Sequence, residues 1–359
     1  MDAGMEGVSL TGLAARRSFL VAAAAAAVVM LAGNPLARAF GLQHWAMAED
    51  ERKLTVLERS GGRPEVLLLG SSRVKFGLMA TEIERRLSAE LGRPVPVFNA
   101  AQASSGVVEA SWILDEVAGT LGCPRAVVVD VNVEGLNAAS GRLAQGLRGL
   151  LPPERWLAVL PHLTDQERIE AALAGLATGY GHLLYALQRP PGSASARREA
   201  GQILECRGSV YGPAGTVCRP NKEATLAELP PIHLRRQLRW YRIRLRNLHR
   251  LDRFRLGGLP EQGLERLAEL CRSCASELIL VSLPTLYPWE EWGYGEAVAA
   301  AEDRAATFAR RQGAPYLDAI ALAGEPTLRD YHDPGHLSRR GAERVSRRLA
   351  AVLVDRLRP

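Results

Sequence analysis

Two short motifs, about 260 residues apart, carry side chains that can do chemistry together. Gly-Ser-Ser-Arg at 70–73 directly follows an apolar run at 66–69, and Asp-Pro-Gly-His-Leu at 333–337 precedes the last helical pattern. A serine beside a histidine that is oriented by a carboxylate is the arrangement of Ser-His-Asp hydrolytic sites. Together the two motifs predict acyl transfer at a serine.

The first motif places a serine between a strand and a helix, and Gly70 permits the tight turn that this needs. In that position Ser72 is close to backbone N–H groups that can stabilise an oxyanion. The position also suits an ordinary N-cap of the following helix, and Ser71 is a competing nucleophile.

Two weaker features follow the next two predicted strands. The loop at 99–106 consists mainly of small residues that let the backbone approach a substrate, or it caps a helix through Ser104 or Ser105. Asn132, after the third strand, carries an amide that can donate to an oxyanion, and Asn137 competes with it. Either asparagine can instead be a turn or cap residue.

The C-terminal motif pairs a carboxylate with an imidazole. Between Asp333 and His336 a Pro-Gly pair supplies a turn that can fold the carboxylate back onto the ring and fix its tautomer. The alternative is a divalent metal site, for which four side chains are dense enough: Asp330, His332, Asp333 and His336. A metal site would leave the Ser72 motif unexplained.

Five apolar runs alternate with helical patterns along the chain. Strands are predicted at 65–69, 95–98, 126–131, 278–283 and 315–320, and helices at 81–91, 107–121, 259–275, 296–312 and 338–357. Continuous apolar runs suit parallel strands that are buried on both faces. The alternation predicts a doubly wound α/β sheet, with ligands bound at the carboxyl ends of the strands.

About 145 residues separate the third and fourth strands, far more than one crossover needs. We therefore divide the chain into a signal peptide or membrane anchor at 1–39, a connector at 40–62, an α/β domain at 63–139 and 259–359, and an insertion or lid at 140–258.

The order of these motifs resembles the SGNH/GDSL hydrolase superfamily, over roughly residues 63–138 and 276–357. The resemblance implies a three-layer α/β/α sandwich with a five-stranded parallel sheet in flavodoxin-like order. It also implies that Ser72 is the nucleophile, that His336 is the general base and that Asp333 orients it.

The same resemblance implies an oxyanion hole built from the Ser72 backbone N–H, the second loop and Asn132. Ser104 stands where the family has its oxyanion glycine, with Gly106 two residues later. A backbone N–H donor does not itself require glycine.

Gly-Ser-Ser-Arg after an N-terminal apolar segment looks like an exported, membrane-associated group of that superfamily. This group includes alginate O-acetylation proteins and the D-alanine transfer protein of teichoic acid modification. The likeness implies an acylated glycan or other ester as substrate, with an acetyl group favoured, and a multi-pass membrane O-acyltransferase as partner. The choice between an esterase and an O-acyltransferase remains open, because both would use the same residues.

A non-catalytic protein that binds a glycan or scaffolds the membrane enzyme is the alternative function. A mild indication of a glycan ligand comes from aromatic side chains that can stack on sugars or fill a core: Trp240, Tyr241, Trp289 and Trp292.

The N-terminus carries a localisation signal. Arg16 and Arg17 precede an uncharged stretch at 18–37, which looks like a twin-arginine export signal with a small-x-small cleavage site before Phe40. The stretch is also long enough to anchor the chain in a membrane, and a buried core helix is a third interpretation. Signal and anchor both predict a periplasmic or extracytoplasmic protein.

The formal charge of +6 comes almost entirely from arginine, since only three lysines occur. The basic segment at 235–255 has apolar residues at helical spacing, so we expect an amphipathic helix with a solvated face rather than a nucleic-acid site. No nucleotide-binding fingerprint occurs, and we expect no cofactor.

The five cysteines are consistent with an oxidising compartment. Cys206 and Cys218 flank a Gly/Pro-rich loop and are candidate disulfide partners. We expect Cys123, Cys271 and Cys274 to be buried thiols.

Overall fold

The computed structural model describes residues 48–103, 105–140, 194–207, 209–210 and 225–358, with the isolated positions 159 and 161. The strands are β1 (Val66–Leu69), β2 (Val97–Asn99), β3 (Ala126–Asp130), β4 (Glu277–Val281), β5 (Tyr316–Leu317), β6 (Tyr331–Asp333) and β7 (His336–Leu337). The helices are α1 (Ala48–Arg59), α2 (Ser72–Gly77), α3 (Ala80–Leu91), α4 (Val107–Thr120), α5 (Val133–Leu136), α6 (Ala194–Glu205), α7 (Pro231–Asn247), α8 (Gly258–Ser273), α9 (Gly295–Gln312), α10 (Ala319–Ala323) and α11 (Arg339–Leu357). Within the continuous described stretches, 3₁₀ turns lie at Leu226–Glu228, Leu251–Arg253 and Leu328–Asp330.

The first five strands form one parallel sheet in the order β2-β1-β3-β4-β5. This order confirms the predicted flavodoxin-like arrangement. β2 lies on one side of β1, whereas β3, β4 and β5 follow on the other side. The carboxyl ends of β1 and β3 therefore border the crevice where such sheets bind ligands. The strands β6 and β7 form a separate antiparallel hairpin.

Side chains along each strand alternate between two apolar cores, one on each face of the sheet. One core contains Leu67, Leu69, Val127, Val129 and Leu280, with residues from α4, α8 and α9. The other contains Val66, Leu68, Val128, Ile279 and Val281, with residues from α3, α10 and α11. The architecture is the expected three-layer α/β/α sandwich.

Two element boundaries differ from the sequence prediction. The strand predicted at 315–320 ends at Leu317, because the Asp318 side chain accepts the Ala321 N–H at 2.7 Å and starts α10. The helix expected over 235–255 ends at Asn247. Arg250 then adopts a left-handed backbone conformation (φ 48°), which breaks the helical repeat before the next 3₁₀ turn.

The segment expected to be a connector contributes to the folded domain. Leu54 and Leu57 of α1 are buried in the first core. Lys53 is buried as well, and its Nζ donates to the carbonyl oxygens of Asn99 and Ala101 at 3.2 and 2.8 Å. Helix α1 is therefore fixed at the end of β2.

The described part of the predicted insertion also packs on the α/β domain. Tyr241 and Leu245 of α7 are buried in the first core. Ser209 accepts the Ala80 N–H and donates to the Leu78 carbonyl oxygen. The remainder of 140–258 lies outside the described residues, as does the predicted signal or anchor at 1–39. Among the helices that the structure describes, none is long and apolar enough to cross a bilayer.

The cysteine prediction was wrong for two of three residues. Cys123 and Cys274 form a disulfide with a Cα–Cα distance of 5.3 Å, because the loop after α4 and the end of α8 meet at one edge of the fold. Cys271 is a buried free thiol, as predicted. Cys206 is disulfide-bonded, and Cys218, its predicted partner, lies outside the described residues.

Candidate active site

A tight turn after β1 presents the two adjacent serines. Gly70 has φ +143°, and a side chain there would meet Val74 Cγ2 at 2.7 Å and Asp130 Cβ at 3.0 Å. The turn therefore requires glycine. The following serine, Ser71, is the N-cap of α2, and its Oγ accepts the Arg73 N–H at 3.2 Å.

This cap separates the roles of the two serines. Ser71 is buried and holds the start of the helix, whereas Ser72 is the first helical residue and is only partly buried. The backbone N–H of Ser72 belongs to the first turn, where N–H groups have no intrahelical acceptor. Of the two candidate nucleophiles, Ser72 is the one that faces the histidine.

The β6–β7 hairpin positions the histidine and its carboxylate. Asp333 and His336 are paired across the hairpin, and the Gly335 N–H donates to Asp333 Oδ1 at 2.9 Å. His336 Nδ1 lies 2.9 Å from both carboxylate oxygens of Asp333. Burial by itself raises the pKa of Asp333, but the hydrogen bonds from His336, Tyr241 and Gly335 lower that pKa to about 2.

The hairpin and the turn meet at a hydrogen bond. His336 Nε2 lies 2.8 Å from Ser72 Oγ. The Phe76 ring packs against the imidazole at a centroid distance of 4.7 Å. The structure thus brings together the three residues that sequence singled out, in the order serine, histidine, aspartate.

A fourth polar side chain contacts this set, and the sequence predicted it as a sugar-stacking or core aromatic residue rather than as a partner of Asp333. The Tyr241 hydroxyl, from α7, donates to Asp333 Oδ1 at 2.8 Å. Burial, and then the neighbouring Asp333 carboxylate, raise the pKa of Tyr241, so the phenol stays protonated as a donor. The signal was present in the sequence, since Tyr241 lies on the apolar face of its helix and a buried phenol needs a polar partner.

The serine, the histidine and Tyr241 border one recess of about 380 Å³, including its open mouth. The lining residues are Ser71, Ser72, Arg73, Glu134, Tyr241, Arg244, Leu245, His249, Tyr287, Gly335 and His336. Arg73 is buried, pairs with Glu134 and lies over the Tyr287 ring at 5.8 Å. Glu134 also lies 3.3 Å from His249 Nε2.

The residues expected at the oxyanion hole are placed differently. The Asn132 amide donates to Asp130 Oδ2 at 2.7 Å, and its oxygen caps α5 by accepting the Gly135 N–H. The Gly106 N–H donates to Glu109 Oε2. Neither residue is among the described residues that line the recess. Ser104 lies outside the described residues.

Asn137, the competitor of Asn132, is a structural residue. Its Nδ2 donates to the His249 carbonyl oxygen at 2.6 Å, and its oxygen accepts the N–H groups of Ala139 and Arg255. These bonds tie the strand-three loop to the segment after α7.

The acidic residue nearest the motif in sequence, Asp330, has a different role from Asp333. Asp330 is fully buried, accepts the Thr327 N–H and hydroxyl, and pairs with Arg344 at 2.8 Å. Asp330 therefore anchors the hairpin to α11. Among the described residues no group of three or more His, Cys, Asp or Glu side chains is arranged to hold a metal ion.

The aromatic residues considered as sugar-stacking surfaces divide into two groups. Trp289 and Trp292 are partly buried and pack on Tyr287. Trp240 is 53% exposed and lies beside Tyr241, one helical turn from Arg244. Of the three tryptophans, only Trp240 keeps a largely open face.

The chain matches no family model and no curated protein sequence. Among solved structures it is similar to the lipase/acylhydrolase from Enterococcus faecalis, at 12% identity and a TM-score of 0.38, over 82% of this chain and 97% of that one.

Proposed function

We propose that this protein is a serine acyl enzyme of the SGNH type, an esterase or O-acyltransferase. One observation carries the proposal: His336 contacts Ser72 Oγ through one ring nitrogen at 2.8 Å and the Asp333 carboxylate through the other at 2.9 Å. A nucleophile, a base and an orienting carboxylate in hydrogen-bonded series are the elements of acyl transfer.

In the proposed first step, Ser72 Oγ attacks the ester carbonyl while His336 Nε2 accepts the hydroxyl proton. Asp333 keeps the Nδ1–H tautomer and stabilises the imidazolium that forms. The Ser72 backbone N–H, at the start of α2, donates to the developing oxyanion. Collapse of the tetrahedral intermediate breaks the bond between the carbonyl carbon and the oxygen of the leaving alcohol. The alcohol takes the proton from His336, and an acyl-serine remains.

The second step repeats the first in reverse. His336 removes a proton from the acceptor hydroxyl, the acceptor oxygen attacks the acyl-serine, and Ser72 recovers its proton. With water as acceptor the protein is an esterase, and with a sugar hydroxyl it is an O-acyltransferase. From the motifs we propose that the acyl group is an acetyl group on an envelope or exported polysaccharide. From the N-terminal segment we propose that the reaction takes place outside the cytoplasm, beside a membrane O-acyltransferase.

The alternative of a non-catalytic scaffold receives no support from the geometry. A scaffold places no demand on the distance between Ser72 Oγ and His336 Nε2, whereas a proton transfer requires the hydrogen-bond distance that is found.

The direct test is labelling of the full-length chain by a fluorophosphonate, with the adduct located by peptide mass spectrometry. We expect the label on Ser72 and none after Ser72→Ala. Ser71→Ala removes the neighbouring hydroxyl and costs only the cap of α2, so its labelling rate should fall by less than about tenfold.

Hydrolysis of p-nitrophenyl acetate by the same proteins then separates the two reactions. Hydrolysis by the parent indicates an esterase. Labelling without hydrolysis indicates a transferase that excludes water from the acyl-enzyme. Neither labelling nor hydrolysis in the folded parent, or a label that persists in Ser72→Ala, would overturn the proposal.

A further inference from the structure

The solvent-facing side of α7 carries exposed apolar side chains. Among the described residues six large apolar side chains are exposed, and three of the six lie on α7: Ile232 (63% exposed), Trp240 (53%) and Ile243 (49%). Apolar residues exposed singly are common on protein surfaces, whereas a cluster marks a contact with a partner or a membrane. Packing of the domain does not explain three of them on one helix.

Arginines lie between and beside these apolar residues. At 100° per residue, Ile232, Trp240 and Ile243 lie within about 80° of one another around the helix axis. The opposite side of α7, with Tyr241 and Leu245, is buried in the first core. The exposed side also carries five arginines, which are Arg235, Arg236, Arg239, Arg242 and Arg246.

The positive charge of this face is not neutralised by carboxylates. Helix α7 contains no acidic residue. Within the part of the chain that the structure describes, none of the five arginines forms an ion pair. Asp252 lies near Tyr294, as do Arg242 and Arg246, but it pairs with neither arginine. The face therefore combines a large positive excess with an apolar ridge.

An anionic bilayer matches both properties. Arginine binds the lipid phosphates, tryptophan lies at the level of the headgroups, and isoleucine enters the apolar boundary of the acyl chains. A soluble polyanion, such as an acidic polysaccharide or a nucleic acid, would engage the arginines and the tryptophan but offers an isoleucine no apolar phase. Ile232 and Ile243 therefore favour a lipid surface.

We propose that the exposed face of α7 is a docking surface for an anionic phospholipid bilayer. The contact is separate from the predicted signal or anchor at 1–39, and it does not depend on the proposed enzymatic function. Tyr241, Arg244 and Leu245 of the same helix border the recess beside Ser72. Docking would hold that recess about 10 Å, one helix diameter, from the lipid surface.

The test adds the full-length protein to vesicles of phosphatidylcholine alone or of an equimolar mixture with phosphatidylglycerol. Both kinds of vesicle carry brominated acyl chains, which quench a tryptophan on contact. The Trp240 signal is the fluorescence of the parent minus that of Trp240→Phe. We expect strong quenching of this signal in the anionic vesicles and little in the neutral ones. Segment 1–39 is the same in every protein, so its own contribution to binding cancels in the comparison.

Substitution of arginines tests the charge. Each basic residue near an anionic surface contributes about fivefold to the docking equilibrium, so Arg239→Gln together with Arg242→Gln should lower it about 25-fold. The matched control is Arg310→Gln together with Arg329→Gln, which removes the same charge from exposed positions outside α7. The control should keep the quenching of Trp240.

Substitution of isoleucines tests the apolar contact. Ile232→Gln together with Ile243→Gln leaves the charge unchanged and should abolish the quenching by brominated acyl chains. Ile320→Gln is the control, because Ile320 is 77% exposed on α10. This variant should be quenched like the parent.

Absent quenching in the anionic vesicles would overturn the proposal, as would equal quenching in both kinds of vesicle or an equal loss in the test and control variants. Quenching that survives the loss of both isoleucines would indicate a surface for polyanions instead of lipid. Shielding of Trp240 from acrylamide before lipid is added would show that the chain itself or a second copy covers the face, and would also overturn the proposal. Thermal unfolding of each variant shows that the protein measured is folded.

Discussion

The two halves of the candidate site are built in different ways. The motif half, residues 70–73 and 333–337, contains short segments whose own turns and caps place Ser72, Asp333 and His336. The helix half is α7, whose Tyr241 and Arg244 reach the site only because the helix packs on the sheet domain. Local motifs therefore place the reacting atoms, whereas tertiary packing supplies the groups that surround them.

Within the motif half, the largest loss of activity is expected at the carboxylate. Asp333→Asn should lower the esterase rate by about 10⁴-fold, because an asparagine does not hold the required tautomer of the histidine. The measurement is kcat for p-nitrophenyl acetate. The control is Asp330→Asn three residues earlier, which should lower Tm because it weakens the buried pair with Arg344.

If Asp330→Asn lost turnover as completely as Asp333→Asn while still folded, the assignment of separate roles to the two aspartates would be wrong.

A second substitution acts where the two halves touch. A side chain at Gly335 would collide with the Tyr287 hydroxyl and approach Tyr241 Cε1 at 3.1 Å. Gly335→Ala should therefore displace the hairpin and cost about 1–3 kcal/mol, as overpacking does. We expect about a 10- to 100-fold loss of kcat/KM, measured together with unfolding in urea.

Gly313→Ala is the control for the backbone effect of replacing a glycine. Gly313 has a positive φ, but a side chain there would meet no other atoms. Wild-type turnover in a folded Gly335→Ala protein would show that the halves move independently.

The low pKa of Asp333 links the motif half to acid stability. Its pKa falls from 3.8 to about 2 in the folded protein, so the ionised form stabilises the fold fully above pH 3.8 and this stabilisation is lost as pH falls through about 2. The stability difference between wild type and Asp333→Asn should shrink by about 2 kcal/mol between about pH 5 and about pH 2. Urea unfolding at both pH values measures it, and a constant difference would contradict the linkage.

Removing the Tyr241 hydroxyl measures how much the helix half contributes to turnover. Tyr241→Phe removes one of the hydrogen bonds on Asp333 Oδ1 and should lower kcat about 3- to 10-fold with KM unchanged. The acid limb of the kcat profile should also shift, since the Asp333–His336 pair loses a donor. An unchanged kcat and an unchanged pH profile would show that Tyr241 serves only to fill the core.

Sequence predicted much of the fold because each strand is a continuous apolar run with turn residues at its end, as at Val66–Leu69 before Gly70. It also selected Ser72, Asp333 and His336, whose spacing reflects local turns. It did not predict that Tyr241 bonds to Asp333, 92 residues later, or that Arg244 lines the recess, because both placements depend on the packing of α7.

Two further features depend on contacts that the sequence does not state. The disulfide joins Cys123 and Cys274, which are 151 residues apart in the sequence, and no local spacing indicates that pair. Asn132 and Asp130 bond to one another, which depends on side-chain directions that a sequence does not state.

The disulfide has a consequence for the integrity of the molecule. Cys123 and Cys274 are 151 residues apart, and the whole segment 140–258 lies between them. A protease that cuts once anywhere in that segment leaves the fragment with Ser72 covalently tied to the fragment with His336. Such a nicked protein would migrate as one species until a reductant separates it into two.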